Sequence, residues 1–138
     1  MNADIRDDLQ TAMSELSRLY PDMRFGQLVE MLALLASEDS PCEPSEVEDT
    51  QLLQASIAHL ESRLDQLGVA RPVLNQRPLH AERRDLLEVL RRLQQLHADW
   101  RFGQAAVQVA GWCAATLYDA EDQQMVVAAR KHLRGEAA

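Results

Sequence analysis

The chain has 138 residues, a formal net charge of −8 and 46% apolar residues; that is one domain's worth of chain, long enough to bury about two-thirds of its unfolded surface, and too apolar for general disorder. The acidic balance argues against broad phosphate binding, which needs a basic face. No apolar run approaches the ~20 residues that span a bilayer, and the N-terminal Met-Asn-Ala-Asp-Ile-Arg-Asp-Asp lacks the basic and apolar regions of a signal peptide, so the expectation is a cytoplasmic protein.

Along the chain, Leu9, Met13, Leu16, Leu19 and Tyr20 recur at helical spacing and predict a helix over Ala3–Tyr20, broken by Pro21. Asp22 is placed to cap a second helix, Met23–Ser37. Its Phe25, Leu28, Val29, Met31, Leu32, Leu34 and Leu35 make it apolar nearly all round, which predicts a place in the middle of a bundle. The prolines and acids of Glu38 to Pro44 read as a loop. Ser45 and Glu48 fit a capping box that opens a third helix, Glu46–Leu67, with Leu53, Ile57, Leu60, Leu64 and Leu67 inward. Gly68 stops it, and residues 68–78, with two prolines, are the expected linker. A fourth helix, Leu79–Ala98, turns Leu86, Leu90, Leu93 and Leu96 inward; a fifth, Trp100–Tyr118, carries Phe102, Ala106, Val109 and Trp112 on one face. Asp119 opens the sixth, Ala120–Arg134, whose terminal Arg130, Lys131, His132 and Arg134 suit the negative end of a helix.

The segment Asp22-Met23-Arg24-Phe25-Gly26-Gln27 returns 77 residues later as Asp99-Trp100-Arg101-Phe102-Gly103-Gln104. At that spacing Leu9, Met13, Leu16 and Leu19 fall on Leu86, Leu90, Leu93 and Leu96, and Leu32, Ala33 and Ala36 on Val109, Ala110 and Cys113. Past a four-residue insertion within Ser37 to Glu46 the match resumes at a spacing of 73, with Glu48-Asp49 over Glu121-Asp122, Ala55 over Ala128, and His59-Leu60 over His132-Leu133. A matched apolar frame on both sides of a repeated motif points to gene duplication. The expected architecture is all-α: a single domain over residues 1–138, a six-helix bundle made of two pseudo-symmetric three-helix repeats, 3–67 and 79–134.

Within the motif, the aspartate caps and the phenylalanine anchors the helix start. A helical glycine costs ~1 kcal/mol relative to alanine, so its reuse at Gly26 and Gly103 points to a close approach of another backbone; one arrangement has the second and fifth helices crossing there. Arg24 and Arg101, in a first turn, oppose the helix dipole. Each is expected to pair with Glu48-Asp49 or Glu121-Asp122, of its own or the opposite copy, as a buried or half-buried bidentate clamp. The other reading is an arginine awaiting a ligand anion at a helix N-terminus.

The segment Pro21 to Leu28, followed by an apolar helix and a Glu-Asp pair, resembles a group of short bacterial proteins that carry P-D-x-R-F/L-G-Q-L/I and a later E-D segment once per chain. The second copy departs from that pattern, with Ala98 in place of proline and Ala105 in place of leucine or isoleucine. The group carries no assigned activity, so the resemblance implies the module and, for single-copy chains, pairing as dimers.

Cys42 lies in the inserted loop and Cys113 in an apolar helix, without zinc spacing or a disulfide framework; Cys113, over Ala36, reads as a small buried hydrophobe. Among His59, His80, His97 and His132, only His59 and His132 recur, and no H-x-x-x-H or E-x-x-H spacing is present, so no metal and no cofactor is expected. These histidines read as polar contacts near helix C-termini. No nucleophile elbow, phosphate loop or dinucleotide fingerprint occurs, and the chain is read as not an enzyme. Arg83-Arg84 and Arg91-Arg92 share a helix with Glu82, Asp85 and Glu88 and read as a solvated mixed-charge face, so nucleic acid is not an expected partner.

The expected function is that of a non-catalytic protein–protein interaction module, an adaptor, regulator or inhibitor-like partner. Glu38, Asp39, Cys42 and Glu43 of the inserted loop are the candidate partner-binding residues, facing a basic surface; the bland reading of that loop is a surface insertion. A homodimer is expected if Trp112 or Met31 is left exposed. The alternative is a small-anion or nucleic-acid-linked module using Arg24, Arg101 and the arginines of the fourth helix.

Overall fold

Seven helices form among the described residues, 2–37 and 43–135, of the computed structural model: α1 (Asn2–Leu19), α2 (Phe25–Ala36), α3 (Asp49–Leu67), α4 (Arg71–Leu74), α5 (Ala81–Leu96), α6 (Phe102–Trp112) and α7 (Asp122–Leu133). Among those residues no strand occurs, a 3-10 turn at Pro44–Glu46 precedes α3, and no helix is long and apolar enough to cross a membrane.

The apolar stripes decide which faces turn inward. On α1, Leu9, Ala12, Met13, Leu16 and Leu19 are buried, and the helix packs on α3 and on α5. On α5, Leu86, Leu87, Val89, Leu90 and Leu93 are buried; this helix lies on α7, which buries Met125, Val126 and Ala129. Each leucine taken out of water in this way contributes about 1.5–3 kcal/mol. α2 and α6 meet at Phe25 and Phe102, whose rings pack edge to face at 5.8 Å. Apart from Ala12, these residues belong to one continuous apolar cluster drawn from both halves of the chain.

Several boundaries depart from the periodicity. α2 begins at Phe25 with Arg24 as its N-cap residue; Asp22, exposed two residues earlier, is not the cap. Its last turn leaves Leu34 and Leu35 67% and 46% exposed, so the helix is buried on one face and not all round. α3 opens at Asp49 behind Glu48, while Ser45 lies inside the 3-10 turn, so the Ser45–Glu48 box does not start it. Its buried stripe is Leu52, Ser56, Leu60 and Leu64, with Leu53 and Ile57 at the half-buried edge and Leu67 exposed. Ser56 enters the core by donating its hydroxyl to the Leu52 carbonyl at 2.7 Å. Glu43, at the described edge of the inserted loop, is exposed; Glu38, Asp39 and Cys42 lie outside the described residues.

The expected linker is not featureless. It holds α4, pinned by the buried Leu74 and by Arg71, whose Nε and Nη2 reach the Glu15 carboxylate at 2.8 and 3.1 Å. α6 stops at Trp112, well short of Tyr118. There Ala114 takes a left-handed φ of 56°, its N–H bonds the Gly111 carbonyl, and the Ala115 N–H bonds that of Ala110 at 3.2 Å, which satisfies the last carbonyls. Gly68, with φ 67°, ends α3 in the same manner. α7 opens at Asp122 behind Glu121; Asp119 belongs to the preceding turn, where it is hydrogen-bonded to Thr116.

Candidate functional site

The repeated hexapeptides and the Glu-Asp pairs meet crosswise. Arg24 Nε donates to Glu121 Oε1 at 3.0 Å, and Arg101 Nε to Glu48 Oε1 at 2.8 Å. The aspartates have a separate task. The backbone N–H of Phe25 donates to Asp122 Oδ1 at 2.9 Å, and that of Phe102 to Asp49 Oδ1 at 2.7 Å. Each helix N-terminus is thus capped by a carboxylate from the other half of the chain, where both the hydrogen bond and the dipole favour it. The motif glutamines supply a second cap: Arg24 N–H donates to Gln27 Oε1 at 3.1 Å and Arg101 N–H to Gln104 Oε1 at 3.3 Å.

The glycines accept a carbonyl. A Cβ at Gly26 would lie 1.7 Å from the Leu117 oxygen, and one at Gly103 2.1 Å from that of Pro44. The close approach is therefore with a loop on each side and not with a helix crossing at the glycines. Pro44, in the inserted loop, is a fixed part of this contact.

Neither arginine clamp is buried or splayed over an aspartate. The Arg24 and Arg101 side chains are each 40% exposed against a single glutamate, where water and salt screen most of the attraction. Hydrogen bonding to Glu48 is the main cause that raises the Arg101 pKa above its ordinary value, followed by the Glu48 charge.

A second pair of arginines completes the joints. Arg83, read from the sequence as part of a solvated face, is 5% exposed. Its Nε donates to Asp122 Oδ2 at 2.7 Å, its Nη1 to Ser17 Oγ at 2.9 Å, and its Nη2 to the Met23 carbonyl. Arg6 is its counterpart at the 77-residue spacing. Its Nη1 donates to the Gln94 carbonyl at 2.9 Å and its Nη2 to those of Ala98 and Trp100, at 2.7 and 2.9 Å. Its Nε stays 3.9 Å from Asp49 Oδ2 without a hydrogen bond, and Gln94 Nε2 reaches that oxygen instead, at 3.2 Å. The signal was present in the chain: Arg6 and Arg83, Ser17 and Gln94, and Met23 and Trp100 all stand 77 residues apart. An alignment read only for its apolar frame passes over them.

The two joints differ in the space beside them. At the Arg24–Glu121 joint a groove of about 1250 Å³ opens, lined by Met23, Trp112, Cys113, Val127 and Lys131 along with Arg24. At the Arg101–Glu48 joint, where Trp100 stands in place of Met23, the cavity measures about 160 Å³. Cys113 is half-buried in the groove wall and not fully interior as expected; burial pushes its thiol up, which keeps it protonated and weakly nucleophilic.

The recurring histidines also find equivalent partners. Tyr20 Oη and His59 Nε2 are 2.7 Å apart, and His97 Nε2 and His132 Nε2 are 3.3 Å apart. Trp100 stacks on His97 at 3.8 Å and Trp112 on His132 at 4.1 Å. His59 lies in the body of α3 and not near its C-terminus. Burial, and then the Arg63 charge, holds its imidazole below the ordinary value. Among the described residues no group of three or more His, Cys, Asp or Glu side chains could hold a metal ion. No family model matches the chain, nor does any curated protein or any solved structure.

Proposed function

We propose that the chain is a non-catalytic protein–protein interaction module, built by duplication from two pseudo-symmetric three-helix units over residues 3–67 and 79–134. In this reading the crosswise joints lock the units together, and the groove beside Arg24 takes a segment of the partner. The groove is the observation that carries it. Its lining combines an aromatic ring and a methionine with an arginine and a lysine, a mixture enriched at interfaces in the first three members. It is open at one joint and nearly closed at the other, the asymmetry expected when one of two like sites acquires a specific contact.

The anion or nucleic-acid alternative has less support, because Arg24 and Arg101 each already face a glutamate and Arg83 is buried. The inserted loop is likewise second choice as a partner surface, since its Pro44 carbonyl is committed to Gly103.

Val127 is about half exposed in the groove, and Leu96 is exposed outside it. Val127→Arg and Leu96→Arg should each change stability by no more than about 0.5 kcal/mol. In affinity capture from native lysate, Val127→Arg is expected to lose the partner that wild type and Leu96→Arg retain. A partner kept by Val127→Arg would rule out the groove as the binding surface.

A further inference from the structure

The contacts that close the joints run between two segments of the chain, residues 2–67 and residues 81–133. Arg24 meets Glu121, the Phe25 amide meets Asp122, Gly26 meets the Leu117 carbonyl, and Ser17 meets Arg83. In the reverse sense Arg101 meets Glu48, the Phe102 amide meets Asp49, and Gly103 meets the Pro44 carbonyl. Each segment also has packing of its own, α1 on α3 in the first and α5 on α7 in the second. Covalently, they are joined only through residues 68–80.

We propose that the joint face is also an interface between copies of this chain: two chains exchange segments, so that residues 2–67 of each close both joints with residues 81–133 of the other. This goes beyond the groove reading and does not depend on it. Opening the joints uncovers two helix N-termini stripped of their aspartate caps, two phenylalanine rings and the Arg83 guanidinium. A second copy is the occupant whose chemistry fits all of them at once. It brings a carbonyl to each glycine notch, a carboxylate to each helix amide and the Ser17 hydroxyl to Arg83. No contact has to be invented, because the exchanged dimer differs from the closed monomer only along residues 68–80, the situation in which exchange is a low-cost route to a dimer.

The balance is set by effective concentration. Leu74, the Arg71–Glu15 pair and the bond from Arg18 Nε to the Arg77 carbonyl hold the connecting segment in place. That pinning favours closure within one chain when the protein is dilute. Refolding at high concentration favours exchange, with the dimer share rising in proportion to chain concentration while monomers predominate.

The test uses full-length chains in which Cys42→Ser and Cys113→Ala remove the native thiols. A chain bearing Arg24→Cys is mixed with one bearing Glu121→Cys, unfolded in guanidinium, refolded together at about millimolar concentration and treated with a short bismaleimide. Position 24 of one chain meets position 121 of the other only after exchange, so a covalent heterodimer with native circular dichroism is expected. The control pairs Arg101→Cys with Glu121→Cys, positions that the exchanged dimer keeps in different lobes. A second measurement needs no altered joint residue: wild type refolded at the same concentration should elute as monomer and dimer, and dilution with brief unfolding should return it to monomer. A 24–121 cross-link yield no greater than the 101–121 yield, or wild type that stays monomeric at every concentration, overturns the proposal.

Discussion

An alanine at Gly26 would place its Cβ 1.7 Å from the Leu117 carbonyl oxygen, and one at Gly103 2.1 Å from that of Pro44. Neither obstacle is a flexible side chain, so the backbone itself must move. Gly26→Ala and Gly103→Ala should each cost about 3 kcal/mol or more in urea unfolding. Gly111, also helical, has nothing within 4 Å of the same position, and Gly111→Ala should instead gain about 0.5–1 kcal/mol. A loss at Gly111 as large as at Gly26 would mean that helix propensity and not close approach governs these sites. His59 offers a pH test. Its folded pKa lies below the ordinary 6.5, so the fold prefers the neutral ring; that contribution is present above about pH 6.5 and is lost as the pH falls through the folded value. Wild-type stability should therefore decline as the pH falls below about 6.5, and His59→Gln should decline less steeply.

At the scale of the helices, the unusual feature is that α2 and α6 borrow their caps. Asp122 serves the Phe25 amide and the buried Arg83 charge at 2.7 Å, whereas Asp49 serves two neutral amides, the Phe102 N–H and Gln94 Nε2 at 3.2 Å, and stands 3.9 Å from Arg6. Asp122→Asn leaves a guanidinium buried without its counter-charge and should cost about 3–5 kcal/mol. Asp49→Asn should cost about 1 kcal/mol, the worth of a cap, because three carbonyls already hold Arg6. Equal losses in chemical denaturation would show that the two joints carry the same load. The stripe of α1 was legible, as was that of α5 through Leu93, because a 3.6-residue period is a local property; Leu96, expected inward, is exposed in the last turn of α5. The start of α3 was not legible, because Pro44–Glu46 winds as a 3-10 turn first, and the end of α6 was not, because Ala114 adopts a left-handed conformation that its side chain does not announce.

For the molecule as a whole, one apolar cluster crosses between the two segments, and the joints tie them at both helix N-termini. Unfolding is therefore expected to be a single cooperative event. The chain provides its own probes, since both of its tryptophans, Trp100 and Trp112, lie in the second segment while backbone circular dichroism reports all helices. The two thermal midpoints should coincide; a separation would show the segments melting independently. The formal charge of −8 does not oppose this closure at the joints, where acids face arginines: Glu121 with Arg24, Glu48 with Arg101 and Asp122 with Arg83.

The sequence alone determined the helical class, the inward faces of α1, α5 and α6 in the main, and the recurrence of the hexapeptide with its Glu-Asp pair. It also named Arg24, Arg101 and the two Glu-Asp pairs of the joints without their pairing, and passed over Arg6, Arg83, Ser17 and Gln94. Only the tertiary structure decided that each motif is completed by the Glu-Asp pair of the other half of the chain, that Arg83 is buried, and that the space beside one joint stays open. The division has a physical reason. Periodicity is set by neighbours three and four positions apart, whereas a cap or an ion pair depends on which distant segments meet. Two copies of the same motif offer the same chemistry to either partner, so the choice between them is made by packing.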